Sequence, residues 1–245
     1  MTTTPGENPG SSPFHRPTAA IGIAAAAYLV TVVVTWPGLR VPVAVPGFPG
    51  WLNILGEAIV TLAPLVVGAM LAAWVGGRTA DGGMSRVLGI RFRPVDLLAG
   101  ALVALVARAV VEVATPTVGS LRPALDDGSP ETNAALAASI VVLVLAAPFA
   151  EEVFFRGAVQ RSLHTLLVGP LTPRVAAVLA VAVTTLAFVL LHAVPYGAEV
   201  PLSVLLAPLL VGIGAGTLAV VTGRIGAGIV AHVLFNLSGV LLLLG

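Results

Sequence analysis

The feature that most constrains this chain is a series of long apolar stretches, separated by short segments rich in proline and glycine. An apolar stretch of about 20 residues forms a helix that is long enough to cross the hydrocarbon core of a bilayer. We therefore predict an all-α fold, a polytopic membrane bundle of about seven transmembrane helices. The predicted spans, numbered first to seventh in chain order, cover residues 18–36, 51–75, 95–115, 134–163, 175–193, 201–221 and 225–244.

The composition agrees with a membrane protein and excludes several other classes. Hydrophobic residues make up 58% of the 245 residues, charged residues make up 9%, and the mean hydropathy is +1.05. These values lie outside the range of soluble proteins, so the lipid bilayer is the first expected partner. The net charge of +1 is spread thinly, which argues against a nucleic-acid partner. The absence of cysteine excludes disulfides, thiolate metal ligands and a cysteine nucleophile.

The chain divides into a polar tail and a membrane domain. Residues 1–17 are rich in Thr, Ser, Pro, Gly and Asn, and we expect a disordered tail there. The first apolar stretch is longer than the core of a signal peptide and lacks a small-x-small cleavage site, so it is interpreted as the first span. Residues 18–130 then hold three transmembrane helices, and residues 131–245 hold the other four.

The arginines predict the orientation of the bundle. In a seven-span arrangement nine arginines fall on one side and two on the other, while Arg108 lies inside the third span. Because cytoplasmic loops of membrane proteins carry an excess of basic residues, we expect a multi-pass protein of the cell membrane with a cytoplasmic N-terminus. The nine are Arg16, Arg78, Arg86, Arg91, Arg93, Arg156, Arg161, Arg174 and Arg224, and the two are Arg40 and Arg122.

Three polar clusters interrupt the last four spans, where a carboxylate, an imidazole or an amide is costly and indicates a functional site. In the fourth span Glu152 and Arg156 have the spacing of a helical ion pair. Glu151 lies about 100° around the helix from Glu152, which leaves it available as a general base. Alternatively, both acids and Arg156 lie at the lipid headgroups. The clusters are Glu151-Glu152-Val153-Phe154-Phe155-Arg156, Phe188-Val189-Leu190-Leu191-His192 and His232-Val233-Leu234-Phe235-Asn236.

The other two clusters place imidazoles and an amide on the fifth and seventh spans. His192 follows Phe188 by one helical turn, and His232 and Asn236 share one face of the seventh span. An interfacial histidine and an interhelical hydrogen-bond clamp are the structural alternatives. The three clusters meet near mid-membrane if the fourth helix continues through Leu163. A carboxylate, two imidazoles and an amide suit the activation of water and the stabilisation of an oxyanion in amide hydrolysis.

The sequence gives weaker support for a serine protease, a zinc protease or a transporter. A serine elbow and a His-Glu-x-x-His motif are both missing, but His192, His232 and Glu151 could form a distributed zinc site. A proton-coupled transporter would also explain buried charges at Glu151, Glu152 and Arg108, although inverted repeats are not evident. Arg108 and Glu112 have the spacing of a second ion pair, to which we assign a structural role.

The three clusters, in this order, resemble the EExxxR, FxxxH and HxxxN motifs of the CPBP (CAAX protease and bacteriocin-processing, or ABI) family of intramembrane proteases. That family includes the type II CAAX prenyl endopeptidases. The similarity runs from about Ala147 to Asn236 and includes Gly157, the Thr184-Thr185-Leu186 run before Phe188, and Thr222-Gly223-Arg224 ahead of the seventh span. It implies that residues 131–245 form the protease core.

The resemblance also implies roles for the motif residues. Glu151 and His192 would activate water, and His232 and Asn236 would stabilise the oxyanion. Glu152, Arg156 and Phe188 would support the site. Family members have been described both as metalloproteases and as metal-free glutamate enzymes. We expect the metal-free form, because zinc would need ligands converging from three helices, and Zn²⁺ remains the alternative cofactor.

The sequence specifies the substrate only as a class. We expect a peptide or membrane-associated protein that reaches the site from the cytoplasm or laterally from lipid, and the sequence does not identify a role for prenylation. The alternative function is a catalytically silent membrane scaffold or bacteriocin-immunity protein of the same fold.

Overall fold

Seven long helices form the bundle in the computed structural model, which describes residues 13–38, 45–77, 83–126 and 128–244. Each of the seven is long and apolar enough to cross a membrane, which confirms the predicted fold class. Short helices at Gly83–Val87 and Arg122–Asp126 lie in the connections, and the described residues contain no β-strand. The seven spans are Pro17–Thr35, Gly50–Gly76, Pro94–Ala114, Pro130–Leu167, Pro173–Tyr196, Leu202–Thr222 and Gly226–Leu244.

Prolines that look like breaks in the sequence are the first residues of helices. Four spans begin at a proline, which has no N–H to lose in the first turn and whose fixed φ suits a helix start. Side-chain caps precede two of these prolines. The Ser129 hydroxyl accepts from the N–H of Thr132 at 3.1 Å, and the Thr172 hydroxyl accepts from the N–H of Val175 at 3.4 Å.

The fourth span is unusual in length and in its internal geometry. It runs without a break from Pro130 to Leu167, 38 residues, so the condition for the three polar clusters to meet is fulfilled. Two π-helical segments interrupt it, at Val142–Ala146 and Val153–Gln160. The second of these overlaps the Glu-Glu motif. π-Helical turns frequently mark functional sites, because they re-aim side chains and free backbone carbonyls.

The second π-helical segment lies at the centre of the bundle. It packs against the first, second, fifth and sixth spans, and Phe154 and Phe155 are completely buried. Small residues allow this close approach: a Cβ at Gly68 would overlap the Cβ of Ala27. Large apolar side chains such as Trp74 and Val113 are exposed on the outside of the bundle, as expected of surfaces that face lipid.

The end of the predicted tail is anchored to the bundle. The backbone N–H groups of His15 and Arg16 donate to the carbonyl of Gly76, at 2.9 and 3.0 Å, and Phe14 is buried. Residues 13–16 therefore differ from the expected disordered segment, because Phe14 supplies the apolar surface that the rest of the tail lacks. Residues 1–12, like Arg40 and Arg78, lie outside the described residues.

Several arginines meet at one end of the bundle, which we call the arginine end. Arg161 donates to the carbonyls of Val87 and Gly223, at 2.9 and 2.8 Å, so the loop before the third span and the loop before the seventh span lie beside the end of the fourth. This arrangement agrees with the alternation on which the predicted orientation rests.

A buried ion pair at the arginine end was not predicted from the sequence. Arg224 donates through Nε and Nη2 to the carboxylate of Asp96, with distances of 2.6 to 3.0 Å. Asp96 is buried and also accepts from the N–H of Arg93 at 2.8 Å. Hydrogen bonding to Asp96 raises the pKa of the Arg224 guanidinium above its usual value. The pair fixes the start of the seventh span against the start of the third.

The charges of Arg108 and Glu112 attract each other, as their spacing predicts, but the hydrogen bonds of both side chains go to other groups. Arg108 instead reaches the seventh span, where it donates to Ser238 Oγ at 3.0 Å and to the carbonyl of Phe235 at 2.8 Å. Glu112 accepts from the N–H and the hydroxyl of Thr117, at 2.6 and 2.9 Å. Each side chain therefore makes its hydrogen bonds with groups other than its i, i+4 neighbour. The structural role assigned to both residues stands.

We expect Asp96→Asn and Arg224→Gln each to lower the midpoint of unfolding in detergent micelles, because each leaves a charged partner without its counter-ion. The double variant should lose less than the sum of the two single variants. Arg122→Gln is the control, because Arg122 lies in the connection after the third span, at the end opposite to Asp96. Additive losses in the double variant would show that the two side chains do not depend on each other.

Candidate active site

The predicted ion pair of the fourth span is present and buried. Arg156 Nη1 lies 3.0 Å from Glu152 Oε1, and the side chains are 1% and 0% exposed. Charged groups at lipid headgroups would be exposed, so the headgroup alternative for these two residues is wrong. Burial of two charges in an apolar bundle is tolerated because they neutralise each other at contact distance.

His232 of the seventh span lies between the two glutamates. Its Nδ1 is 3.2 Å from Glu152 Oε1, and its Nε2 is 3.7 Å from Glu151 Oε2. An ionised carboxylate only accepts, so the Nδ1–H of His232 is the donor to Glu152. One imidazole thus joins the paired glutamate to the glutamate that has no guanidinium partner. The two acids therefore have different nearest partners.

Phe188 of the fifth span brings the three clusters together. The guanidinium carbon of Arg156 lies 4.5 Å from its ring centroid, a cation–π contact. The rings of His192 and His232 lie edge-on to it, with centroids 4.5 and 5.6 Å away. Phe188 is completely buried. It therefore sets the positions of one arginine and both histidines at once, which agrees with the supporting role predicted for it.

His192 is half-buried, and its orientation is fixed by its own helix. Nδ1 lies 2.9 Å from the carbonyl oxygen of Phe188. Since a carbonyl oxygen can only accept, Nδ1 carries the proton, and the Nε2 of a neutral His192 is an acceptor. An acceptor nitrogen of this kind can orient a water molecule.

Asn236 holds the first π-helical segment of the fourth span. Its amide nitrogen donates to the carbonyl of Leu143 at 2.8 Å. In the π-helical register that carbonyl would accept from residue 148, but Pro148 has no N–H. Asn236 supplies the missing donor, so the interhelical clamp considered for this residue exists. The amide has a second N–H, which this hydrogen bond leaves free for another acceptor.

A distributed zinc site does not fit this arrangement. The part of the chain that the structure describes contains no group of three or more His, Cys, Asp or Glu side chains placed to hold a metal ion. The predicted ligands His192, His232 and Glu151 are thus not arranged as a metal site. Nδ1 of His192 and Nδ1 of His232 each face a protein oxygen.

Sequence reasoning missed Gln160. It is buried on the same side of the fourth span as Glu152 and Arg156, and its amide nitrogen donates to the carbonyl of Gly216 at 2.8 Å. Its position four residues after Arg156 was the available signal, because a polar residue at that spacing continues the same helical face.

The fold and the site together define a multi-pass membrane protein with a buried acid and histidine centre. Among protein-family models, the one described as type II CAAX prenyl endopeptidase, Rce1-like, matches residues 133–238. This part of the chain is similar to that family, which confirms the resemblance and supports a protease. The match includes all seven predicted site residues. No curated protein and no solved structure matches the chain.

Removal of the Arg156 charge should be costly, because Glu152 would remain buried without its counter-ion. We expect Arg156→Met to destabilise the protein by about 3–5 kcal/mol, measured by chemical unfolding in micelles. Arg156→Lys keeps the charge and should lose less, although it gives up the planar contact with Phe188. Equal losses in the two variants would show that packing, and not charge, determines the effect.

Proposed function

We propose that this protein is an intramembrane endopeptidase that hydrolyses peptide bonds of a peptide or membrane-associated protein. The observation that carries the proposal is the unequal pair of glutamates around one histidine. Glu152 is completely buried and paired with Arg156, whereas the Glu151 side chain is 12% exposed and lies 3.7 Å from His232 Nε2. The match to a protease family supports the same conclusion.

Glu151 is the proposed general base. Its side chain is the more exposed of the two acids, and among the described residues no guanidinium lies at ion-pair distance from it. A proton taken from water can be shared with His232 Nε2, 3.7 Å away, and then given to the leaving amine. His192 Nε2, an acceptor when the ring is neutral, would hold the same water in line for attack on the carbonyl carbon.

The oxyanion of the tetrahedral intermediate needs donors that are already in place. The seventh span offers the imidazole of His232 and the second N–H of Asn236, one helical turn apart. Glu152, through the Nδ1–H of His232, fixes the orientation of that ring, and the Leu143 carbonyl fixes the orientation of the Asn236 amide. The second N–H of Asn236 is thereby held in place, and His232 Nε2 becomes a donor once it has taken the proton from Glu151.

The outer surface of the bundle supports an approach of substrate from lipid. An apolar groove of about 630 Å³ lies between the fifth and sixth spans, and Val189 in its wall neighbours Phe188 in the chain. An apolar segment of a membrane-associated substrate would fit such a groove with little desolvation cost.

Glu151→Gln tests the function directly, since it keeps the size of the side chain and removes the base. We expect a loss of about 100-fold or more in turnover, the usual contribution of a general base, in a protein that still folds. The measurement is a mass-spectrometric comparison of protein and peptide termini in native membranes that carry wild-type or variant protein at matched levels.

Glu112→Gln is the matched control, because it makes the same change in a carboxylate that caps Thr117 away from the site. Termini that disappear only in Glu151→Gln would name the substrates. Identical termini, together with rescue of the null phenotype by Glu151→Gln, would contradict the proposal. They would favour the alternative, a catalytically silent scaffold or immunity protein.

A zinc chelator should leave the cleavage rate unchanged, because the described acids and histidines are not arranged as a metal site. The measurement is the rate of release of the identified termini from purified protein in micelles, with and without 1,10-phenanthroline. Complete inhibition, with recovery on addition of Zn²⁺, would overturn the metal-free mechanism while leaving the protease assignment intact.

A further inference from the structure

Three polar side chains follow one another along the buried side of the fourth span. Glu152, Arg156 and Gln160 are spaced by four residues, and each is at most 2% exposed. Across from them, Thr184 of the fifth span is also buried. The two helices run in opposite directions and meet where Arg156 contacts Phe188, so Gln160 and Thr184 both lie about one turn further toward the arginine end.

These side chains have more polar atoms than the protein satisfies. Among the described residues, Glu152 Oε2, Gln160 Oε1, Thr184 Oγ1 and all three guanidinium nitrogens of Arg156 have no hydrogen-bond partner. The 3.0 Å contact of Arg156 Nη1 with Glu152 is an ion pair without hydrogen-bond geometry. Buried polar groups left in this condition are costly, and buried water molecules commonly satisfy them.

Glycines leave room beside two of these atoms. A Cβ at Gly228 would lie 2.8 Å from Glu152 Oε2, and a Cβ at Gly216 would lie 2.9 Å from Gln160 Oε1. Any other residue at either position would place carbon against an oxygen that needs a donor. The two oxygens therefore face the positions at which the seventh and sixth spans have no side chain.

The set of polar side chains connects the candidate active site with the surface. At one end Glu152 contacts His232, which contacts Glu151. At the other end Gln160 lines a pocket of about 190 Å³ at the arginine end, beside His164 and Thr165. The eight residues from Glu152 to Gln160 span roughly 12 Å along the helix, a distance that a few water molecules bridge.

We propose that Glu152, Arg156, Gln160 and Thr184, here called the polar file, bind a chain of water molecules between the pocket at Gln160 and the two glutamates. This chain resupplies the water that each hydrolytic cycle consumes and allows protons to exchange with solvent at the arginine end. The role of the water chain in turnover rests on the proposed function. The presence of the bound water molecules does not depend on that function.

Hydroxyl-radical footprinting of the full-length protein in micelles tests the proposal, because X-ray pulses generate radicals from bound water next to buried side chains. Phe188 and Phe155 contact Arg156 and are completely buried, and we expect both rings to be oxidised. After mixing with H₂¹⁸O, the oxygen added to these rings should rapidly become ¹⁸O. Leu65 of the second span, which is buried to a similar degree, should remain unlabelled.

Gln160→Met should reduce the ¹⁸O labelling of Phe188 several-fold, because it closes the polar file at its surface end. Thr184→Val keeps the shape of the side chain and should also reduce the ¹⁸O labelling of Phe188. It serves as the test if Gln160→Met does not fold. Ser162→Ala is the matched control, since the Ser162 hydroxyl is buried in the same helix but bonded to the carbonyl of Ala158.

The outcomes separate the water path from the protease assignment. Unlabelled Phe188 and Phe155 in the wild type would overturn the path, whether or not the protein cleaves peptides. Labelling that is equally fast in Gln160→Met and Thr184→Val would show that water reaches the glutamates from the substrate side, which also overturns it. Labelling that depends on Gln160 in a protein without proteolysis would support the path and remove the function.

Discussion

The buried contact between Glu152 and Arg156 is the interaction on which the site depends. Two charges in an apolar bundle require partners on every side, and the structure provides His232 for the carboxylate and the ring of Phe188 for the guanidinium. These partners come from the seventh and fifth spans, so satisfying one ion pair of the fourth span draws three helices together. Glu151, the proposed general base, lies at the same place beside His232.

Irregular helix geometry makes that convergence feasible. The π-helical segments of the fourth span broaden the helix where it meets its neighbours, and Pro148 leaves the Leu143 carbonyl without a helical donor. Asn236 satisfies that carbonyl from the seventh span. The π-helical turn thus leaves one carbonyl without a helical donor, and a side chain of the site satisfies it. The shape of the fourth span therefore helps to set the position of the proposed oxyanion donor Asn236.

The helices outside the family match contribute directly to this arrangement. The first and second spans pack on the π-helical segment Val153–Gln160, and the third span packs along the seventh. Asp96 and Arg108 of the third span bind Arg224, Phe235 and Ser238, at the start and along the length of the seventh. The position of His232 therefore depends on residues that precede the match as well as on those within it.

The sequence alone determined the seven spans and the pairing of Glu152 with Arg156, because hydropathy and i, i+4 spacing are local properties of the chain. The polar clusters also indicated the site, since charges in hydrocarbon are rarely accidental. The tertiary structure determined which residues on other helices these groups contact. His232 lies 80 residues from Glu152, and Arg224 lies 128 residues from Asp96, distances over which no periodicity extends. Arg108 shows the same limit: its spacing indicated Glu112, whereas only packing brought its hydrogen-bond acceptors on the seventh span within reach.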